Sequence, residues 1–189
     1  MFKVPIARSD VHIHLKRKDV NILFGKDYQL TNLKNLTIPG QFACSETVSL
    51  IGPSGRINGV VVVGPERPYS QVEISITNGL TLGIDAPVRL SGDLKGSAPI
   101  KVTGPAGSID FSEGLIVAAR HIHMHSSDAA ELGVKTGDSV SVRVPGPRGL
   151  VFNQVIIKAG DHEALEMHVD FDEGHAAGIE DFQEVEIIL

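Results

Sequence analysis

Histidine pairs at alternate positions are the residues of this chain whose type and spacing point most directly to chemistry. His12 and His14 are separated by one residue, and so are His121 and His123. Successive side chains of a β-strand point to opposite faces, so each pair places two imidazoles on one face. One such pair is more often a polar strand edge than a metal site, but two pairs in one small chain favour metal binding.

The second half of the sequence repeats the features of the first half in the same order. His12-Ile13-His14 matches His121-Ile122-His123, and further along the chain Glu73 matches His168. The same separation in sequence that relates Glu73 to His168 also relates two pairs of glycines and one pair of acidic residues: Gly79 and Gly174, Gly83 and Gly178, Asp85 and Glu180. Short words align by chance, but the ordered recurrence favours an internal duplication.

The duplication predicts two groups of metal ligands, one in each half. We call His12, His14 and Glu73 the mixed triad, and His121, His123 and His168 the histidine triad. Three ligands with one open position are typical of catalytic zinc, whereas structural zinc usually has four ligands rich in cysteine. The chain has one cysteine, which excludes such a site, and the ligand types also suit iron, cobalt or nickel. If the halves pack about a pseudo-twofold axis, the two triads form a dinuclear centre.

Other polar residues near these positions are candidates for supporting roles. Arg67 precedes Glu73 in a proline-bounded turn, where a guanidinium suits phosphate or carboxylate; a surface salt bridge is the alternative. His125 continues the face of the histidine strand and is a candidate for supporting a ligand there. Glu166 shares a face with His168 and is a candidate for hydrogen-bonding a ligand, but for it we favour an exposed strand position.

Composition limits the class of protein. With 189 residues, the chain forms one domain or two small fused ones. A net charge of −6 without a long basic run argues against nucleic-acid binding. The sequence contains no run of about 18 apolar residues, so we predict no membrane span. The lone Cys44 fits a reducing cytoplasm, and we expect it to pack in the core rather than act as a nucleophile.

The pattern of short apolar runs and turn residues predicts a mostly β protein with short helices. Hairpins are expected around Gly52–Gly55 and Pro145–Gly149, and Asp19 is expected to cap a short helix. Residues 31–41 are expected to be an irregular connection. The expected domains are 1–90 as a first half, 91–113 as linker and crossover strands, and 114–189 as a second half, with termini that can cross between halves.

Several motifs carry a resemblance to a known family. They span nearly the whole chain: Val11 to Leu15, Pro39 to Ala43, Glu46 to Val48, Ser70 to Ser75, Ser91 to Gly96, Ala119 to Met124, and Leu165 to His168. In these motifs the chain resembles the PduL-type phosphate propanoyltransferases, a phosphotransacylase family. Asp10-Val11 stands where that family usually has Asn-Arg, and His125 stands where it usually has Ser.

The resemblance implies two β-barrel-like domains, two zinc ions and the reversible conversion of acyl-CoA and phosphate to acyl phosphate and CoA. It implies that the six triad residues are the ligands and that Arg67 faces phosphate. Ser9 and Lys34 keep family positions and are candidates for contacting CoA. Propanoyl-CoA and acetyl-CoA are the expected acyl donors, and a homo-oligomer is expected.

The core begins almost at Met1, without an amphipathic targeting helix before it. We therefore expect a cytoplasmic protein, or a form associated with a bacterial microcompartment whose targeting segment was removed. Two rival functions stay open. A dinuclear metallohydrolase would use hydroxide in place of phosphate, and a noncatalytic module would use the metals only to staple its domains.

Overall fold

The computed structural model describes residues 2–189, nearly half of which belong to strands, with short helices between some of them. In chain order the elements are β1 (Phe2–Ser9), β2 (His12–His14), α1 (Arg17–Phe24), β3 (Asn32–Asn35), β4 (Phe42–Ile51), β5 (Arg56–Gly64), β6 (Gln71–Ile74), α2 (Ile76–Leu82), β7 (Val88–Arg89), β8 (Ala98–Thr103), β9 (Ser108–Ala118), β10 (His121–Met124), α3 (Ser126–Leu132), β11 (Ser139–Val144), β12 (Leu150–Ala159), β13 (Glu166–Asp170), α4 (Phe171–Ala177) and β14 (Gln183–Ile188). The predicted class is confirmed.

The chain divides into two compact units. Barrel A comprises residues 11–36 and 40–118, and barrel B comprises the described residues up to Asp10 together with 37–39 and 119–189. The sequence-based boundaries differ from these units. Residues 91–113 contribute β8 and half of β9 to barrel A, because both strands pair within its sheet. The N-terminal strand β1 pairs with β13 and β14, so the start of the chain completes barrel B.

Barrel A is a ring of six strands with two additions. The strands pair in the order β4-β5-β2-β6-β9-β8, and β8 returns to β4 to close the ring. Outside the ring, β3 pairs with β4 and β7 pairs with β9. The segment 31–41, expected to be irregular, therefore contains a short exposed strand.

Barrel B has the same arrangement of pairings. Its closed ring follows the order β1-β13-β10-β12-β11-β14. The histidine strand β10 is parallel to β12 and antiparallel to β13, as β2 is parallel to β5 and antiparallel to β6 in barrel A. This shared topology supports the internal duplication that the sequence indicated.

Alternation along the central strands separates an apolar core from a polar outer face. In barrel A, Ile13 and Val72 are buried in the core, and in barrel B Ile122 and Met167 are. Burying such side chains contributes about 1.5–3 kcal/mol each, which fixes the register of each strand. The triad residues occupy the alternate positions and therefore project from the outside of each barrel.

The helices are short and capped. Ser75 before α2 and Asp170 before α4 each form a capping box, and Gly83 and Gly178 end these helices with positive φ. Asp19 does not cap α1 as expected: Lys16 is the N-cap, and the Asp19 carboxylate accepts a hydrogen bond from Ser70 at 2.6 Å.

Among residues 2–189, no helix has the length and apolar character that crossing a bilayer requires.

Candidate metal centres

Each barrel places four polar residues at equivalent positions of two paired strands, and we call each set a grid. In the grid of barrel A, His12 lies opposite Glu73, and His14 lies opposite Gln71. In the grid of barrel B, His121 lies opposite His168, and His123 lies opposite Glu166. The short antiparallel strands thus bring together ligands that are about sixty residues or fewer apart in sequence.

The structure brings all six predicted ligands together in two groups, one in each barrel. Within the mixed triad the three donor atoms lie within 4.8 Å of one another, and the same holds for the histidine triad. Ligand atoms around a tetrahedral zinc with bonds of 2.0–2.1 Å lie about 3.4 Å apart. Both groups therefore have the size and chemistry of a metal site.

The mixed triad presents an unprotonated nitrogen and a carboxylate to the same point. His14 Nδ1 lies 3.1 Å from the carbonyl oxygen of Val63, so Nδ1–H donates there and the Nε2 lone pair faces Glu73 Oε1 at 3.8 Å. Burial, together with the charges of His12 and Arg67, lowers the pKa of His14 to about 3. At neutral pH no proton on His14 balances the carboxylate, so a divalent cation suits this position.

His12 completes the mixed triad from the same face of β2. Its Nε2 lies 3.7 Å from Glu73 Oε2, and its ring packs edge-on against His14 with centroids 5.0 Å apart. The two carboxylate oxygens of Glu73 thus each face one imidazole. Glu73 is the one acidic residue among the three candidate ligands.

The histidine triad directs two lone pairs at each other. His121 Nδ1 lies 2.8 Å from the carbonyl oxygen of Ala119, and His123 Nδ1 lies 2.7 Å from Glu163 Oε2. Each Nδ1–H therefore donates to its oxygen, and the two Nε2 atoms, 3.0 Å apart, both carry lone pairs in the neutral rings. Imidazoles that bind metals usually donate their other N–H in this way, so the triad fits a metal.

Two acidic residues of barrel B belong to this site although the sequence did not assign them to it. Glu163 accepts from His123, and Glu166 Oε2 lies 3.0 Å from His168 Nε2. Glu166 is 3% exposed, which contradicts the exposed strand position favoured from the sequence. Its place on the ligand face next to His168 was the available signal, whereas Glu163 lies before β13 and gave none.

Arg67 lies in barrel A close to the mixed triad. Its backbone N–H donates to Leu15 O at 2.9 Å, directly after His14, and its positive charge acts on His14. Within the described part of the chain, the guanidinium makes long hydrogen bonds, of 3.3 Å to Gln41 and 3.5 Å to Ser91. Over the described residues, none of the ion pairs within 4.0 Å involves Arg67. The surface salt bridge considered as its alternative role is thus not what the structure shows.

The remaining candidates lie outside the triads. Ser9 is half-buried at the end of β1, and Lys34 is exposed on β3. His125 is exposed past the end of β10, where its Nδ1 accepts from the backbone N–H of Ser127 as the N-cap of α3. Cys44 is buried in the core of barrel A, as expected. Burial raises the pKa of its thiol to about 11, which keeps it protonated.

Comparison with known proteins decides the family. The family model described as phosphate propanoyltransferase matches residues 5–180. The chain belongs to this family. A phosphate propanoyltransferase of Rhodobacter capsulatus is 51% identical over 177 residues, which cover 94% of this chain and 82% of that protein. Relatives of the same description from Clostridioides difficile, 46% identical over 93% of this chain and 84% of the relative, and Thermotoga maritima, 49% identical over 91% and 82%, agree. The resemblance stated from the motifs is therefore confirmed, and the family is one of acyltransferases.

Proposed function

We propose that this member of the family is a zinc-dependent phosphotransacylase that converts acyl-CoA and phosphate to acyl phosphate and CoA, in either direction. Propanoyl-CoA is the proposed acyl donor, because the relatives are described as phosphate propanoyltransferases. Acetyl-CoA, which has a smaller acyl group, is the second candidate. The observation that carries the catalytic part of the proposal is the pair of triads, each with three donor atoms within 4.8 Å of one another.

The mixed triad would hold one metal ion and the histidine triad another. When bound, such ions supply Lewis acidity for a thioester carbonyl and for phosphate. Zinc is proposed over iron, cobalt or nickel because three ligands and an open position are its usual catalytic pattern. The action of the two ions as one dinuclear centre stays a prediction, which magnetic coupling between two substituted cobalt(II) ions would test.

Arg67 is the proposed phosphate-binding residue. Its guanidinium has no carboxylate partner among the ion pairs described above, so its charge is available to an anion. The planar group can donate two parallel hydrogen bonds to phosphate oxygens. Gln41 and Ser91 hold the guanidinium by long hydrogen bonds that a phosphate can replace.

The proposed reaction is direct attack by phosphate on the thioester. A phosphate oxygen forms a bond to the carbonyl carbon, the carbon–sulfur bond breaks, and CoA leaves as its thiolate, which then takes up a proton. No acyl-enzyme is needed, and the chain's one cysteine is unsuited to form one because its thiol is buried and protonated. Ser9 and Lys34 stay candidates for contacting CoA. Homo-oligomer formation and association with a microcompartment also stay predictions.

The test is the release of CoA from propanoyl-CoA and acetyl-CoA with and without phosphate. Zinc content is measured on the same sample, and acyl phosphate is trapped with hydroxylamine. We expect release that depends on phosphate, yields acyl phosphate and stops when a chelator removes the metal. Equal release without phosphate would favour the metallohydrolase. Metal-loaded protein that releases no CoA and unfolds when metal is removed would favour the noncatalytic module.

A further inference from the structure

The fourth position of each grid carries a residue that hydrogen-bonds the third ligand. In barrel A, Gln71 Nε2 donates to Glu73 Oε1 at 2.5 Å. In barrel B, His168 Nε2 donates to Glu166 Oε2 at 3.0 Å. Positions 71 and 166 are equivalent in the two barrels because each lies opposite the second histidine of its His-x-His pair.

The polarity of each hydrogen bond matches the ligand that it holds. A carboxylate ligand such as Glu73 only accepts, and its neighbour Gln71 offers an amide donor. A neutral imidazole ligand such as His168 has one N–H to donate, and its neighbour Glu166 offers an acceptor. Donation from Nε2 leaves Nδ1 of the same ring with a lone pair for a metal.

Both neighbours are buried, and hydrogen bonds hold Gln71 in one orientation. Gln71 is fully buried, and its Oε1 accepts from the backbone N–H of Gly92 at 2.7 Å, which directs its amide group to Glu73 and Ser91. Glu166 is 3% exposed. An ionised carboxylate at such a position is costly unless a donor or a cation compensates it.

The grids also contain the same number of carboxylates. One of the four grid residues is acidic in each barrel: the ligand Glu73 in barrel A and the neighbour Glu166 in barrel B. Each grid thus contains one carboxylate, which belongs to a triad residue in barrel A and to its neighbour in barrel B.

We propose that Gln71 and Glu166 are equivalent positioning residues, each of which orients the third ligand of its triad toward the metal. Positions 71 and 73, and positions 166 and 168, act as matched pairs: an amide with a carboxylate ligand, or a carboxylate with an imidazole ligand. This inference rests on the proposed metal binding. It adds a function for two residues that are not themselves assigned as ligands.

A double-mutant cycle in barrel B tests the matching. Zinc affinity is measured by competition with a chelator in the full chain, whose mixed triad is inactivated by His14→Ala. Glu166→Gln should weaken zinc binding by about 10- to 100-fold, as is typical for residues that orient a ligand. In the His168→Glu background the same Glu166→Gln change recreates the residue set of barrel A and should cause no loss.

Three outcomes would overturn the inference. The first is an unchanged zinc affinity in Glu166→Gln, and the second is an equal loss of affinity in both backgrounds, as a general structural or charge effect would cause. The third outcome is a histidine triad that binds no zinc in the parent protein, and this would overturn the proposed metal function as well. Glu131→Gln, on the exposed surface of α3 in the same barrel, is the matched control and should change nothing.

Discussion

The two triads show how one duplicated framework builds two candidate metal sites from different residues. The mixed triad contains its own carboxylate, and His14 donates to a backbone carbonyl. The histidine triad has three imidazoles and no carboxylate of its own; Glu163 and Glu166 accept hydrogen bonds from His123 and His168. Strand register thus keeps the candidate ligands at equivalent positions in the two barrels. The carboxylate, in contrast, belongs to a triad residue in barrel A and to supporting residues in barrel B.

Loss of a triad histidine should have the largest effect. His14→Ala and His123→Ala each remove one of three ligands, so each should lower metal affinity in its own barrel by more than about 100-fold, beyond the effect of supporting residues. Metal content and phosphate-dependent CoA release are the measurements. Turnover should be lost together with the metal. His162→Ala changes an exposed histidine and serves as the control. A variant with full turnover and no bound metal would refute the assignment.

Arg67→Ala should separate phosphate binding from metal binding. Hydrogen bonds to charged groups contribute about 1.5–3 kcal/mol, so KM for phosphate should rise about 10- to 100-fold. Both metal ions should remain bound. Arg56→Ala, which removes an exposed guanidinium bonded to Asn58 in the same barrel, should leave KM unchanged. Loss of metal from Arg67→Ala would mean that Arg67 is structural.

Glu163→Gln sharpens the contrast between the two second histidines. The carboxylate of Glu163 holds the Nδ1–H of His123, whereas His14 relies on the carbonyl of Val63. We expect metal affinity in barrel B to fall about tenfold, with barrel A unaffected. Chelator titration of the two sites measures both values. An equal fall at both sites would show that the substitution acts on the whole protein.

The smallest expected effect concerns pH and the capping boxes. Barrel A uses Ser75 and Asn78, which do not titrate, whereas barrel B uses Asp170 and Glu173. Burial and the charge of Asp170 raise the pKa of Glu173 to about 7, despite the ion pair of Glu173 with Arg120 at 2.8 Å.

Folded protein therefore keeps a proton that the unfolded chain releases above the ordinary carboxyl pKa of 4.5. This proton contributes stability at low pH that is lost as pH rises toward about 7. With Glu173→Gln, the free energy of unfolding should fall less between about pH 5 and about pH 8 than in the parent protein. Denaturant unfolding at both pH values measures the free energy of unfolding of each protein. A steeper fall in the variant would contradict the assigned pKa.

The two groups of residues that form the triads could be predicted from the sequence because their pattern is local or repeated. Alternation alone places His12 with His14, and the duplication relates Glu73 to His168 without any knowledge of strand pairing. The supporting residues give a weaker signal, because Gln71 and Glu166 stand at the same offset as Glu73 and His168 but differ in residue type. Glutamates on strands are usually exposed, and the position of Glu163 depends on how the chain before β13 folds back on His123.

The limits of the barrels were harder to predict for a related reason. Nothing in the local pattern of β1 indicates whether it pairs with the strands that follow it or with β13 and β14 at the far end of the chain. Likewise, the polar segment 91–97 has the composition of a linker but connects β7 to β8 within barrel A. Long-range pairing decides both cases.

Metal stoichiometry tests the central claim most directly. Purified protein, loaded with zinc and freed of excess metal, should contain two zinc ions per chain. His14→Ala should retain only the ion of the histidine triad, and His123→Ala only the ion of the mixed triad. A parent protein that binds no zinc, or variants that both lose the same ion, would contradict the account of one metal site in each barrel.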